Sequence, residues 1–203
     1  MKNLIFLIIV LVCACEQKQT LTTSKPRGVM MQRDTLLGIK GCDMAQFEET
    51  KVGNIFNYGH TKVLTIPSED GVGEEIYVQS THQKDTFWIE NIEAYHFFGI
   101  KNDLLFVDNG TGPNGRSFLV YDLATRKMIH EDHYEAEISI KNNKIMYLTP
   151  IDTRNIRLRA SVCPNSEKWE KQGLGVGYAQ IISFDLKTKE SEETGEYSCF
   201  PIQ

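Results

Sequence analysis

The sequence predicts a mainly β protein built from antiparallel sheets with little helix. Three observations predict it. Short runs rich in Ile, Val, Phe and Tyr recur along the chain, separated by polar turns carrying Gly, Asn or Asp. Regular crossover helices, which a parallel α/β fold needs between its strands, have no signal. And two stretches follow the same order of strands and turns.

The predicted strands cover residues 62–66, 75–79, 86–90, 94–99, 104–108, 117–122, 136–141, 144–148, 156–160 and 178–186. Helix signal is confined to residues 43–51 and two turns over 165–172. In the run 94–99, Tyr95 and Phe97 share one face, while His96 and Phe98 share the other. Two apolar-rich faces suit a central strand or an interface. The other aromatic residues, Phe87, Trp88 and Tyr121 among them, are read mostly as core.

The repeated order is concrete. Ile100-Lys101-Asn102-Asp103-Leu104 parallels Ile140-Lys141-Asn142-Asn143-Lys144. Farther on, Tyr121-Asp122-Leu123-Ala124-Thr125 parallels Phe184-Asp185-Leu186-Lys187-Thr188. The unit resembles a blade of a β-propeller. That resemblance implies that Asp122 with Thr125, and Asp185 with Thr188, cap the turn after the third strand by bonding local backbone N–H groups. A closed propeller needs four to eight blades, and two are legible here. An incomplete propeller-like stack and a β-sandwich both remain open.

The N-terminus carries an export pattern. Lys2 precedes the apolar run Leu4 to Val12, which suits a signal-peptide core and is short for a membrane span. Val12-Cys13-Ala14-Cys15 then resembles a lipobox, the processing site of bacterial lipoproteins. The resemblance implies removal of residues 1–14 and acylation of Cys15. Two or more acyl chains anchor stably where one does not, so the lipid bilayer is the first partner expected. The outer membrane is favoured, with the chain facing the periplasm or the cell surface. Residues 15–35 are polar and read as a tether, and 36–203 as a single, mostly β domain.

Hydrophobic residues make up 41% of the chain and the formal net charge is -5. An acidic chain with no dense Lys/Arg cluster argues against nucleic-acid binding. An exported chain meets an oxidising compartment, and Cys163 with Cys199 is the favoured pair around the insertion 149–177. No CxxC remains after residue 15, so a thioredoxin-like role has no support.

Chemistry-bearing sets are sparse. Gly110-Thr-Gly112-Pro-Asn-Gly115 has the GxGxxG spacing, but a strand rather than a helix follows it, so a glycine-rich hairpin connection is the reading. His130, Asp132 and His133 could hold a divalent metal if their segment turns; a strand would send the two imidazoles to opposite faces. A solvated turn is the plainer reading. Trp169, alone in a charged stretch of the insertion, marks a candidate binding loop. No catalytic residues and no cofactor are predicted. The expected role is a non-enzymatic binding or assembly domain for an envelope protein or glycan; the alternative is a glycan or ester hydrolase.

Overall fold

The structure, a computed structural model, describes residues 29–31, 39–81, 85–91, 93–112, 115–152 and 163–202. The signal sequence, Cys15, the predicted strand 156–160 and all of the tether except 29–31 lie outside the described residues.

Six strands form an antiparallel meander in chain order: β1 (Val29–Met31), β2 (Ala45–Glu49), β3 (Asn54–Asn57), β4 (Thr61–Pro67), β5 (Glu74–Ser80) and β6 (Thr86–Ile89). Seven more follow as a second antiparallel sheet: β7 (Tyr95–Lys101), β8 (Leu104–Asn109), β9 (Arg116–Asp122), β10 (Lys127–Lys141), β11 (Lys144–Pro150), β12 (Gly175–Asp185) and β13 (Ser191–Ile202). One short helix, α1 (Ser166–Lys171), precedes β12.

Two sequence expectations are corrected here. Residues 45–49 are strand β2, not helix. Alternation decides it: Phe47 turns inward against Phe56, with ring centroids 5.3 Å apart, while Gln46 and Glu48 stay exposed. Residues 130–135 are not a solvated turn either, but part of the 15-residue strand β10. Its first half, up to Tyr134, pairs with β9; its second, from Glu135, pairs with β11. A register shift between Glu135 and Ser139 marks the change of partner, and bulges of this kind bend a strand.

β10 therefore divides the second sheet into two four-stranded lobes. Between the lobes lies a core that includes Phe98, Phe106, Phe118, Ile138, Ile145, Tyr147 and Phe184. On the other side of β7–β9 lies a second core, in which Phe97, Leu105, Val107 and Leu119 meet Phe56, Val63, Ile76 and Val78 of the first sheet. The result is three stacked layers with β7–β9 in the middle. Strand alternation feeds both cores from one strand: Leu104 and Phe106 go one way, Leu105 and Val107 the other. Each such fully buried side chain contributes about 1.5–3 kcal/mol.

The repeat seen in the sequence is a repeat of geometry. Asn102 and Asp103 turn with φ of 50° and 60°, and Asn142 and Asn143 with 51° and 61°. Positive φ at both central residues is the type I′ hairpin that matches strand twist, and Asn and Asp tolerate it. Asp122 Oδ1 accepts from the backbone N–H of Ala124 (2.8 Å) and Thr125 (3.1 Å). Asp185 Oδ1 does the same for Lys187 (2.8 Å) and Thr188 (3.2 Å). The carboxylates are the caps, and each threonine takes part through its backbone N–H. Asn102 Nδ2 donates to Asn143 Oδ1 at 3.3 Å, and Lys189 Nζ pairs with Asp122 Oδ2, so the two units are tied together at these turns.

Candidate binding face

β10 separates the three residues considered for a metal. His130 and Asp132 lie on the face toward the inter-lobe core. There the Tyr147 hydroxyl donates to Asp132 Oδ2 at 2.7 Å and lies 3.3 Å from His130 Nε2. His133 lies on the other face, where its Nδ1 is 2.8 Å from Ser117 Oγ. The three side chains do not converge, and among the described residues no group of three or more His, Cys, Asp or Glu is placed to hold a metal ion. The His130 ring packs on Phe184, with centroids 4.5 Å apart. Burial lowers its pKa, against the opposing pull of Asp132. Burial, reinforced by Asp132, holds the Tyr147 hydroxyl protonated well above the ordinary tyrosine range. This trio is a satisfied polar seam in an aromatic core.

The glycine-rich connection after β8 serves the fold in a similar way. Arg116 Nε donates to Asp108 Oδ1 at 2.9 Å, and its Nη1 donates to the Gly112 carbonyl at 2.7 Å. The Tyr134 hydroxyl donates to the same Asp108 oxygen at 2.5 Å. Asp108 is fully buried, and a buried carboxylate needs such partners. The guanidinium thus ties Gly112 to the buried Asp108 of β8.

In the long insertion, a disulfide joins Cys163 to Cys199 of β13, with Cα atoms 5.4 Å apart. It pins α1 beside the last two strands. Trp169 of α1 is half-buried. Cys42 is buried.

The most exposed tryptophan is elsewhere. In the first sheet, cross-strand register aligns Glu48, Ile55, Leu64, Tyr77 and Trp88 in one row. Residues directly opposite in paired strands share a face. The neighbouring residues of each strand, among them Phe56, Val63, Val78 and Phe87, are the ones that enter the core side. The row therefore lies on the outward face. Trp88 is 50% exposed. Its ring is nearly parallel to that of Tyr77, at 6° and 6.0 Å between centroids. Its Nε1 donates to Glu75 Oε2 at 2.6 Å. The indole is thus held in one orientation while much of it faces solvent.

Beside this apolar row runs a polar one, again in register: Gln46, Asn57, Lys62, Gln79 and Thr86. All five are exposed. A shallow depression of about 270 Å³ lies at the polar row, lined by Asn57, Gly59, Lys62, Gln79, Ser80 and Thr81. A cavity of about 180 Å³ lies at the seam between the first sheet and the middle layer, lined in part by Val78, Phe87, Asp103 and Leu123. It is smaller than the roughly 300–1,000 Å³ of most small-molecule sites.

No protein-family model and no curated protein sequence matches the chain. Among the described residues no helix is long and apolar enough to cross a membrane.

Reading Phe87 and Trp88 together as core missed the outward row. Consecutive strand residues point to opposite faces, so a sheet with one covered face can bury only one of the two. The sequence signal was present in that adjacency. Which of the two faces stays uncovered depends on the stacking of layers, and no local pattern carries that.

Proposed function

We propose that the chain is an exported lipoprotein, anchored through acylated Cys15 with the outer membrane favoured, and that its folded part is a non-enzymatic binding domain. The observation that carries the binding role is the outward row of the first sheet, ending on the half-exposed Trp88. An aromatic side chain already fixed by a neighbour loses little further freedom on binding, which favours affinity. Trp and Tyr also supply the largest contact energies at recognition surfaces. The anchor rests on the lipobox resemblance, and it would keep this face close to envelope components.

Both halves can be tested in producing cells. Fractionation should find the wild type in membranes and the Cys15→Ser variant in the soluble fraction, with Cys13→Ser still in membranes. Membrane retention of Cys15→Ser would overturn the anchor. For the binding face, hydroxyl-radical footprinting compares intact envelopes with the purified full chain. Trp88 and Tyr77 should be protected in the envelope while Trp169 is labelled equally in both. Equal labelling of Trp88 would overturn the binding role.

A further inference from the structure

We infer that the outward face of the six-stranded sheet binds an uncharged polysaccharide; this rests on the binding role proposed above and names the class of ligand. Three features of the face point to it. The first is the pairing of rows. A pyranose ring offers a flat patch of C–H groups on its face and hydroxyl groups around its edge. The apolar row Ile55, Leu64, Tyr77 and Trp88 can take the flat faces of successive sugars. Its four strands cover three inter-strand spacings, about 14 Å, which is the reach of a short oligosaccharide rather than a single sugar.

The second is the chemistry of the neighbouring row. Each sugar hydroxyl both donates and accepts. Side-chain amides do the same with a carbonyl oxygen and an NH₂ group, and a threonine hydroxyl does so with one atom. Gln46, Asn57, Gln79 and Thr86 are of these types and are exposed. Asn57 Oδ1 already accepts from the Gly59 backbone at 2.9 Å, which leaves its NH₂ turned to other partners. A protein partner with an apolar, water-excluding centre would leave this line of amides poorly matched.

The third is charge. Across the two rows the face carries one cation, Lys62, and one carboxylate, Glu48; Glu75, opposite Ile66 in the next row, adds a second carboxylate beside them. Glu75 is engaged by the Trp88 indole. Polyanion sites gather many Lys and Arg residues, and this face does the opposite. The complement is a neutral polymer, not an acidic one.

Affinity electrophoresis of the detergent-solubilised full chain tests this. The gels contain laminarin, xylan, galactomannan or amylose as neutral polymers, and alginate or heparin as polyanions. At least one neutral polymer should retard the wild type, and the polyanions should not. Trp88→Ala should weaken the retardation by about tenfold or more, as loss of a main aromatic contact does, while Trp88→Phe retains most of it. Gln79→Glu alters only an exposed position and keeps the test open if Trp88→Ala folds poorly; it too should weaken retention. Retardation by none of the neutral polymers, retardation by polyanions alone, or equal retention of Trp88→Ala and Gln79→Glu with wild type would each overturn the inference. If Trp88 is nevertheless protected in the footprint of intact envelopes, only the identity of the ligand falls and the binding role stands.

Discussion

A single carboxylate at the start of a turn can decide whether that turn closes. Asp122 and Asp185 each capture two backbone N–H groups that the hairpin would otherwise leave unpaired. This was legible in the sequence because the cap is local: the Asp and the N–H groups it binds lie within three residues of each other. Asp122 differs from its counterpart by its contact with Lys189. That hydrogen bond, helped by the Thr125 and Ala124 amides, holds its pKa below the usual carboxylate range. A depressed folded pKa adds stability above the unfolded value, near 3.8, and that stability is lost as pH falls through the folded one. Asp122→Asn keeps the turn acceptor and removes the charge. Calorimetry between pH 7 and pH 3 should therefore show wild type losing Tm more steeply below pH 4 than the variant. At neutral pH the difference should be about 1 kcal/mol or less, because Lys189 is partly exposed. Asp108 is a harsher case. Its partners were hidden from the sequence, since Tyr134 lies 26 residues away. Asp108→Ala would strand the Arg116 guanidinium, and urea denaturation should show a loss of about 3–5 kcal/mol.

At the scale of elements, what misled sequence reading was tertiary context. Residues 45–49 contain good helix formers, yet the inward path of Phe47 and the pairing with β3 select a strand. The polar run from His130 to Glu135 suits a turn, yet successive register slots pair His130 to Tyr134 with β9 and Glu135 with β11. Both are cases in which packing overrides weak local preference. The long β13 is guarded on its free side by its own composition. It carries Glu192, Glu193 and Glu196, with Pro201 near its end, and charges and proline on an edge oppose pairing with another chain. Its far end is fixed by the Cys163–Cys199 bridge, which spans 36 residues. By the chain-entropy relation a loop of that length is stabilised by about 4 kcal/mol. Reduction, or Cys163→Ser, should lower the urea midpoint accordingly. The same treatment should leave Trp88 fluorescence in the folded state unchanged, because that residue lies in the other sheet.

Across the whole molecule, the middle layer supplies side chains to both cores. Its double-sided character was visible in the sequence at 94–99. The stacking order was not, because nothing local says which sheet covers which face. Neighbouring residues of β8 serve different cores: Leu105 faces the first sheet, and Phe106 faces the far lobe. The two native tryptophans report from opposite outer layers, Trp88 from the first sheet and Trp169 from beside β12 and β13. If β7–β9 couple the layers, replacing either core residue must weaken both reports together. Leu105→Ala should cost about 2–5 kcal/mol and Phe106→Ala about 3–5 kcal/mol. In each variant, unfolding followed through Trp88 (with Trp169→Phe) and through Trp169 (with Trp88→Phe) should share one midpoint, as a two-state transition requires. Separate midpoints, with Leu105→Ala moving only the Trp88 signal, would show instead that the first sheet opens on its own and that the middle layer does not couple the cores.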